Sequence, residues 1–137
     1  MVGWSLSDDM TTENTVIKAW IMARDNRNIQ PNFIFHSNRG VQYASNKMTS
    51  LFSFNWKISQ SMSRKGNCWD NAVAESFFKS IKHEWLYRFK FNSYQELYHS
   101  IKNYIKWYNT ERLHQSLGYL TPIEMEQKLR KLINIAA

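Results

Sequence analysis

A short polar segment, HSNRG at residues 36–40, follows the apolar residues 33–35. Polar side chains at the carboxyl end of a strand are a common location for an active site in an α/β sheet. At the centre of the segment, Asn38 carries a neutral amide, whose oxygen can coordinate a cation without adding negative charge. The segment therefore indicates a site and raises the question of whether a carboxylate is expected at residue 38.

Glu75 is the second candidate, because it lies in the first turns of a predicted helix with Lys79 and Lys82 at i+4 and i+7. This spacing is ordinary for a solvated Glu–Lys pair, which stabilises a helix by about a few tenths of a kcal/mol. The other interpretation is a metal-binding carboxylate followed by lysines along a phosphate backbone, since Mg²⁺ prefers carboxylate and phosphate oxygens. Spacing alone favours the solvated pair.

Three further residues are candidates with ordinary alternatives. His36 could act as a base or a ligand, although a lone histidine is more often hydrogen-bonded within the fold. Arg64 and Lys65 precede Gly66 in a predicted loop and could bind phosphate, but a solvated turn explains them equally well. The four glycines form neither a P-loop nor a dinucleotide-binding turn.

The composition fits one basic domain. The 137 residues carry a formal net charge of +7, and basic residues alternate with aromatic ones in WLYRFKF and YIKWYN. Such a surface suits a nucleic-acid backbone, although a solvated surface is about as good an explanation. The single cysteine excludes an internal disulfide. Because no segment resembles a membrane span or a secretory signal, we expect a cytoplasmic protein without a membrane partner.

Hydrophobic periodicity predicts the order βαβαβααα, an α/β layer followed by helices. Strands are predicted at residues 2–6, 33–35 and 57–63. Ser93 with Glu96 forms a predicted capping box, and Asp70 or Asn71 is the predicted cap of the preceding helix. The predicted apolar helix faces are Val16, Ala19, Trp20 and Ala23; Met48, Leu51 and Phe52; Ala74, Phe77, Phe78, Ile81 and Trp85; and Tyr94, Leu97, Tyr98, Ile101, Ile105 and Tyr108.

The last helix has an equally clear start. Thr121 is a predicted cap, Pro122 occupies the first helical position, and Glu124 completes a second capping box.

Three longer segments, taken together, indicate a protein family much more specifically than the single residues do. HSNRGVQYAS, SMSRKGNCWDNAVAESFFKSIKHE and YNTERLHQSLGYLTP strongly resemble the integrase-type catalytic core of bacterial insertion-sequence transposases. The matching group encodes its transposase in a second, frameshifted reading frame. The resemblance covers nearly the whole chain. It implies a ribonuclease-H-like fold in which two Asp and one Glu bind two divalent metals, Mg²⁺ or Mn²⁺. It also implies element-end DNA, target DNA and full-length transposase subunits as partners.

The resemblance assigns roles to particular residues. Glu75 matches the catalytic glutamate and would be a metal ligand, whereas Asn38 stands where the family has its second aspartate. A carboxylate is therefore expected at residue 38, and its replacement by an amide weakens Mg²⁺ binding. Six side chains are expected to face DNA near the site: His36, Arg39, Arg64, Lys65, Lys79 and Lys82.

The chain departs from the family pattern in two ways, in its first strands and in the spacing of its site residues. The family's first catalytic aspartate lies on the first of two strands that precede the segment matching VGWSLSD. We therefore expect an α/β, ribonuclease-H-like integrase core lacking its first two strands, followed by C-terminal helices. Residues 1–92 would be the truncated core and residues 93–137 the C-terminal helical segment of that core. The spacing from Asn38 to Glu75 holds one extra residue, which we place around residues 54–56.

The expected function is that of a transposase fragment whose ancestral reaction is DNA strand cleavage and transfer. With the first acid missing, we expect this copy to be inactive and the change Asn38→Asp to leave it so. The alternative is a non-catalytic DNA-binding or transposase-interacting regulatory fragment, which salt-dependent DNA binding without cleavage would favour. A decayed reading frame without function is a third interpretation.

Overall fold

The computed structural model describes residues 1–53, 58–66 and 68–136. These residues form two compact units, an N-terminal unit of Val2–Lys79 and a C-terminal unit of Met1 with Ser80–Ala137. A π-helical turn, Glu13–Ile17, leads directly into the first α-helix. The elements in chain order are α1 (Lys18–Asn26), β1 (Phe33–Ser37), α2 (Asn46–Ser53), β2 (Ile58–Met62), α3 (Ala72–Glu84), α4 (Tyr94–Thr110) and α5 (Pro122–Ala136).

A small parallel sheet organises the N-terminal unit. Phe33 of β1 lies opposite Ile58 of β2, and Ser37 lies opposite Met62. Parallel strands need a crossover connection, and this one contains α2. The strand predicted at residues 33–35 is confirmed and extends two residues further, and the strand predicted at residues 57–63 is confirmed over Ile58–Met62. The extra residue predicted around 54–56 lies outside the described residues.

The core of the N-terminal unit is aromatic and aliphatic. The Trp20 ring meets Phe35 and Phe52 edge-on, with centroids 5.4 and 5.3 Å apart, the geometry that aromatic quadrupoles favour. Leu51 was predicted to face inward, but it is 42% exposed because the core does not extend to its side of α2. The buried members of the core are Val16, Trp20, Met48, Phe52 and Ile58.

Residues 2–6 form no strand, contrary to the prediction. The segment lies instead along α1 and the turn that precedes it. The Ser5 hydroxyl donates to the Thr15 carbonyl at 2.6 Å. Gly3 approaches so closely that a Cβ there would lie 2.2 Å from the Ala19 carbonyl oxygen. A strand needs a hydrogen-bonding neighbour, and this segment finds its contacts on a helix.

Side-chain caps start two helices of the C-terminal unit. The Glu96 N–H donates to Ser93 Oγ at 3.1 Å, and the Glu96 carboxylate accepts the Asn92 N–H at 2.8 Å. The Glu124 N–H donates to Thr121 Oγ1 at 3.2 Å, and the Glu124 carboxylate accepts the Thr121 N–H at 2.8 Å. The predicted capping box at Thr121 is therefore confirmed. At Ser93 the cap is confirmed, but the Glu96 carboxylate bonds to the residue before the cap and not to the cap itself.

The inner face of α4 is centred on Tyr104, which is only 1% exposed, together with the buried Ile105. Ile105 was predicted to be buried and Tyr104 was not. On α3, Phe77 and Ile81 are buried as predicted, whereas Phe78 is 58% exposed. Across the described ranges, no helix combines the length and apolar character that a membrane span requires.

Candidate functional site

A shallow cleft in the N-terminal unit brings Asn38 and Glu75 to one surface. It forms where the segment after β1, the loop after β2 and the first turns of α3 meet, and its volume is about 390 Å³. Five of the eight predicted site residues line it. The lining residues are Asn38, Arg39, Ser63, Arg64, Lys65, Gly66, Asn71 and Glu75.

Asn38 closes a local turn at the edge of the cleft. Its Oδ1 accepts the Gly40 N–H at 2.9 Å, the side-chain-to-backbone bond with which Asn and Asp stabilise turns. The buried Ser37 donates its hydroxyl to the Asn38 carbonyl at 2.9 Å. The amide oxygen that could bind a cation therefore already has a backbone partner.

Glu75 is exposed in the first turn of α3. Within the described ranges, no ion pair involves Glu75, so the i,i+4 pair with Lys79 is not formed. Lys79 and Lys82 are exposed on α3 and are not among the lining residues of the cleft. The Glu75 carboxylate is thus available to a ligand.

Arg64 and Asp70 fix the loop after β2. The guanidinium donates to Asp70 through Nε at 3.1 Å and Nη2 at 3.0 Å, and the Arg64 N–H donates at 2.9 Å. The Arg64 hydrogen bonds hold the pKa of Asp70 at about 2, below its ordinary 3.8. Asp70 was a predicted helix cap, but its carboxylate is engaged by this arginine.

His36 links three parts of the N-terminal unit. Its Nε2 lies 3.0 Å from the Asp70 carbonyl oxygen, and its Nδ1 lies 3.0 Å from Ser61 Oγ on β2. Because a carbonyl oxygen only accepts, Nε2 bears the hydrogen in its bond to Asp70. Ser63 Oγ lies 3.3 Å from Nε2. Both ring nitrogens are thus engaged inside the protein.

The Arg39 side chain is anchored in a similar way, since its Nε donates to the Ser63 carbonyl at 2.8 Å. Sequence reasoning did not single out Ser63 or Asn71 as cleft residues. Both lie inside the motif SMSRKGNCWDNA, which carried the family resemblance and was the only sequence feature that could have indicated them. The sequence also indicated the Arg64–Asp70 pair, because a basic and an acidic residue flank the turn at Gly66.

The lining residues do not fit a pair of divalent cations. They supply one carboxylate, Glu75, and one amide oxygen that already bonds to backbone, beside three basic side chains. A magnesium pair relies on several anionic oxygens. No group of three His, Cys, Asp or Glu side chains in the described part of the chain could hold a metal ion. Positive charge predominates in the cleft, which suits a phosphate.

A second polar cluster lies in the C-terminal unit. Arg112 donates to Glu84 through Nε at 3.0 Å and Nη2 at 2.5 Å, and the Tyr104 hydroxyl donates to the same carboxylate at 2.7 Å. The Arg112 hydrogen bonds lower the pKa of Glu84. Burial, followed by the bond to Glu84, raises the pKa of Tyr104. The sequence did not predict this cluster.

Comparison with known proteins gives consistent matches. The model of the integrase core domain matches residues 56–122. The chain is 37% identical over 128 residues to the transposase for insertion sequence element IS904 of Lactococcus lactis subsp. lactis (strain IL1403), covering 93% of this chain and 50% of that protein. It is 34% identical over 140 residues to the insertion element IS600 31 kDa protein of Shigella sonnei, covering 96% of this chain and 48% of that protein.

A third relative is the transposase InsF for insertion sequence IS3A of Escherichia coli (strain K12), with 37% identity over 129 residues, 93% of this chain and 44% of that protein. The chain thus spans about half the length of the curated relatives it matches. No solved structure matches it.

Proposed function

The chain belongs to the insertion-sequence transposases of the integrase superfamily, and we propose that it serves transposition by holding DNA phosphates in the cleft beside Glu75. The observation that carries this proposal is the meeting of Asn38 and Glu75 in one cleft with three cations. The two residues are 37 positions apart in the sequence. Their convergence is what the family's catalytic arrangement requires.

The basic side chains of the cleft supply the affinity. Arg39, Arg64 and Lys65 are exposed and line the same surface. Cations in such an arrangement bind phosphate oxygens without regard to sequence and release counterions from DNA. Arg39 is positioned in advance by the Ser63 carbonyl. Arg64 is held by Asp70, which offsets part of its charge, so Arg39 and Lys65 contribute most of the attraction. His36 holds the loop in place, and Lys79 is exposed one helical turn after Glu75 on α3.

We assign the chain to a ribonuclease-H-like core on the same grounds. Two parallel strands joined through a helix are compatible with that fold. Asn38 lies just after β1, and Glu75 lies on α3, the helix that follows β2. Residues 1–92 would belong to the catalytic core and residues 93–137 to its C-terminal helical segment. Element ends, target DNA and full-length transposase subunits are the proposed partners.

The family's chemistry requires divalent cations, and Glu75 is the proposed ligand in this chain. The amide of Asn38 weakens any such site, because it contributes no charge and its oxygen already accepts the Gly40 N–H. We propose that this chain binds DNA but does not cleave it. Cleavage would require carboxylates beyond the one that the described cleft supplies.

Binding and cleavage are tested on the full chain. Fluorescence anisotropy with a labelled blunt duplex, repeated over a range of salt concentrations, should show log K falling linearly with log salt. Supercoiled DNA incubated with the protein and Mg²⁺ or Mn²⁺ should remain intact. Absent or salt-independent binding would remove the proposed phosphate cleft, and metal-dependent nicking would refute the proposed loss of cleavage.

A further inference from the structure

A second cavity, of about 550 Å³, lies within the C-terminal unit and outside the phosphate cleft. Three aromatic side chains line it: Trp85, Tyr104 and Trp107. Tyr104 is buried, and its ring centroid lies 5.9 Å from that of Trp85 and 5.6 Å from that of Trp107. Trp107 is 40% exposed and so offers ring surface to a ligand.

The acidic group in this cavity is neutralised from within. Glu84 accepts two hydrogen bonds from Arg112 and a third from Tyr104. A carboxylate paired in this way repels an anionic ligand little. Arg88, by contrast, is exposed at the cavity and donates only its Nε to the His83 carbonyl, at 3.3 Å. The cavity therefore combines an apolar wall with a cation at its edge.

Asn103 completes the set of ligand-binding groups. Its side chain is exposed, it lines the cavity, and no hydrogen bond in the described structure engages its amide. Lys106 is exposed three positions later on α4, where residues are neighbours on the helix surface. An amide that both donates and accepts can pair with the edge of a nucleobase.

We propose that this cavity binds an unpaired nucleobase at a single-stranded DNA end. The base would stack on Trp107, the Asn103 amide would meet its polar edge, and Arg88 with Lys106 would neutralise the adjoining phosphates. Aromatic rings beside cations are the general means of binding single-stranded nucleic acid. This inference rests on the proposed DNA-binding function and adds a preference for DNA ends.

Charge argues against an apolar peptide as the occupant. Nine lysines and arginines accompany five glutamates in residues 80–137, and the free groups at the cavity are a cation and an amide. An apolar segment would leave both without partners, at an energetic cost that a nucleotide avoids.

The test compares three DNA probes by fluorescence anisotropy with the full chain, in the absence of divalent metal. The probes are a blunt duplex, the same duplex with a short 3′ overhang, and that overhang built from abasic residues. We expect the overhang to tighten binding about fivefold to 150-fold, the range given by stacking of one base on an aromatic side chain. The abasic overhang keeps its phosphates but offers no base to stack, so it should lose most of this gain in affinity.

Two variants test the site with substitutions that should leave the fold intact. Trp107→Leu keeps an apolar side chain on Tyr104 but removes the stacking surface, and Asn103→Ala changes an exposed helical position. Trp107→Leu should lose the preference for the overhang and Asn103→Ala should weaken it, while both variants bind the blunt duplex normally. Tyr94→Ala is the matched control, since Tyr94 lies on α4 outside the cavity and is half exposed.

The outcomes separate this inference from the function on which it rests. Equal affinity for blunt and overhang probes, with salt-dependent binding intact, would overturn the nucleobase site and leave the phosphate cleft standing. An overhang preference that survives in both variants would also overturn it. Failure to bind any probe would remove both proposals.

Discussion

The backbone N–H and the guanidinium of Arg64 both bond to the carboxylate of Asp70, through three hydrogen bonds of 2.9 to 3.1 Å. The pair closes the loop after β2 just before α3 begins. Lys65 and Gly66, which lie inside this closure, line the cleft. The pair therefore sets the shape of the cleft from one side, while His36 holds the Asp70 carbonyl from the other.

Acid should open this loop only at very low pH. Asp70 has its pKa lowered from 3.8 to about 2 by Arg64. A depressed carboxyl pKa contributes stability that is complete above the unfolded pKa and is lost as pH falls through the folded one. The pair should therefore be intact above about pH 4 and break near about pH 2. Carboxyl NMR titration should show this, and Arg64→Gln should return the pKa towards 3.8.

Arg130→Gln is the control for that titration, because Arg130 pairs with Glu126 on α5. An Asp70 pKa that stays low in Arg64→Gln would mean that the Arg64 guanidinium is not the cause.

Removing one cleft cation should weaken DNA binding in a characteristic way. Lys65→Gln should lower affinity for duplex DNA for every sequence alike and reduce the slope of log K against log salt by about one. Anisotropy titrations at several salt concentrations measure both. Lys18→Gln makes the same charge change on an exposed position of α1. Equal losses in the two variants would show that net charge, and not the cleft, binds DNA.

Restoring a carboxylate at residue 38 should strengthen metal binding without restoring cleavage. Asn38→Asp should raise Mn²⁺ affinity about tenfold or more, because a unit charge about 4 Å from a divalent cation is worth about 2 kcal/mol even in water. Calorimetric titration measures this, with Asn28→Asp as the matched change at an exposed site. DNA nicking by Asn38→Asp would contradict the proposed loss of activity. Unchanged Mn²⁺ affinity would place the metal elsewhere.

The packing of residues 2–6 on α1 makes Gly3 sensitive to a side chain. Gly3→Ala would place a Cβ 2.2 Å from the Ala19 carbonyl, and relieving that clash should cost about 1–3 kcal/mol of unfolding free energy. Urea denaturation measures the loss. The neighbouring Val2→Ala removes methyl groups from an exposed side chain and should cost less. A tolerated alanine at residue 3 would favour the strand that the sequence predicted.

The Glu84 cluster should contribute measurably to stability. Glu84→Gln leaves Arg112 and Tyr104 without an ionised acceptor, so unfolding free energy should fall by about 1–2 kcal/mol. Glu126→Gln breaks an exposed i,i+4 pair with Arg130 and should cost less than about 0.5 kcal/mol. Denaturant titrations compare the two. Equal effects would show that partial burial adds nothing to the Glu84 pair.

Local rules predicted helix starts well. The caps at Ser93 and Thr121 depend on groups three residues apart, so sequence fixes them before any tertiary contact forms. Residues 2–6 show the opposite case, since strand formation depends on a distant partner. Leu51 and Phe78 lie on correctly predicted helices, but periodicity does not say how widely a neighbouring element covers a helix.

The candidate site also contains features that the sequence predicted and features that it did not. The meeting of Asn38 and Glu75 followed from the family resemblance, which carries three-dimensional information that spacing lacks. The contacts of His36 did not follow, because its two ring nitrogens bond to groups on β2 and before α3 whose positions depend on the completed fold. Tyr104 was missed as a core residue because tyrosine is as common at surfaces as inside.

The turn at Asn38 also bears on how such a sequence changes over generations. Its stabilising bond needs only an oxygen acceptor for the Gly40 N–H, which aspartate and asparagine provide equally. The codons of the two residues differ by a single base. A single mutation can therefore replace the aspartate with asparagine, or the reverse, without affecting folding. Only selection on the DNA reaction would distinguish the two residues.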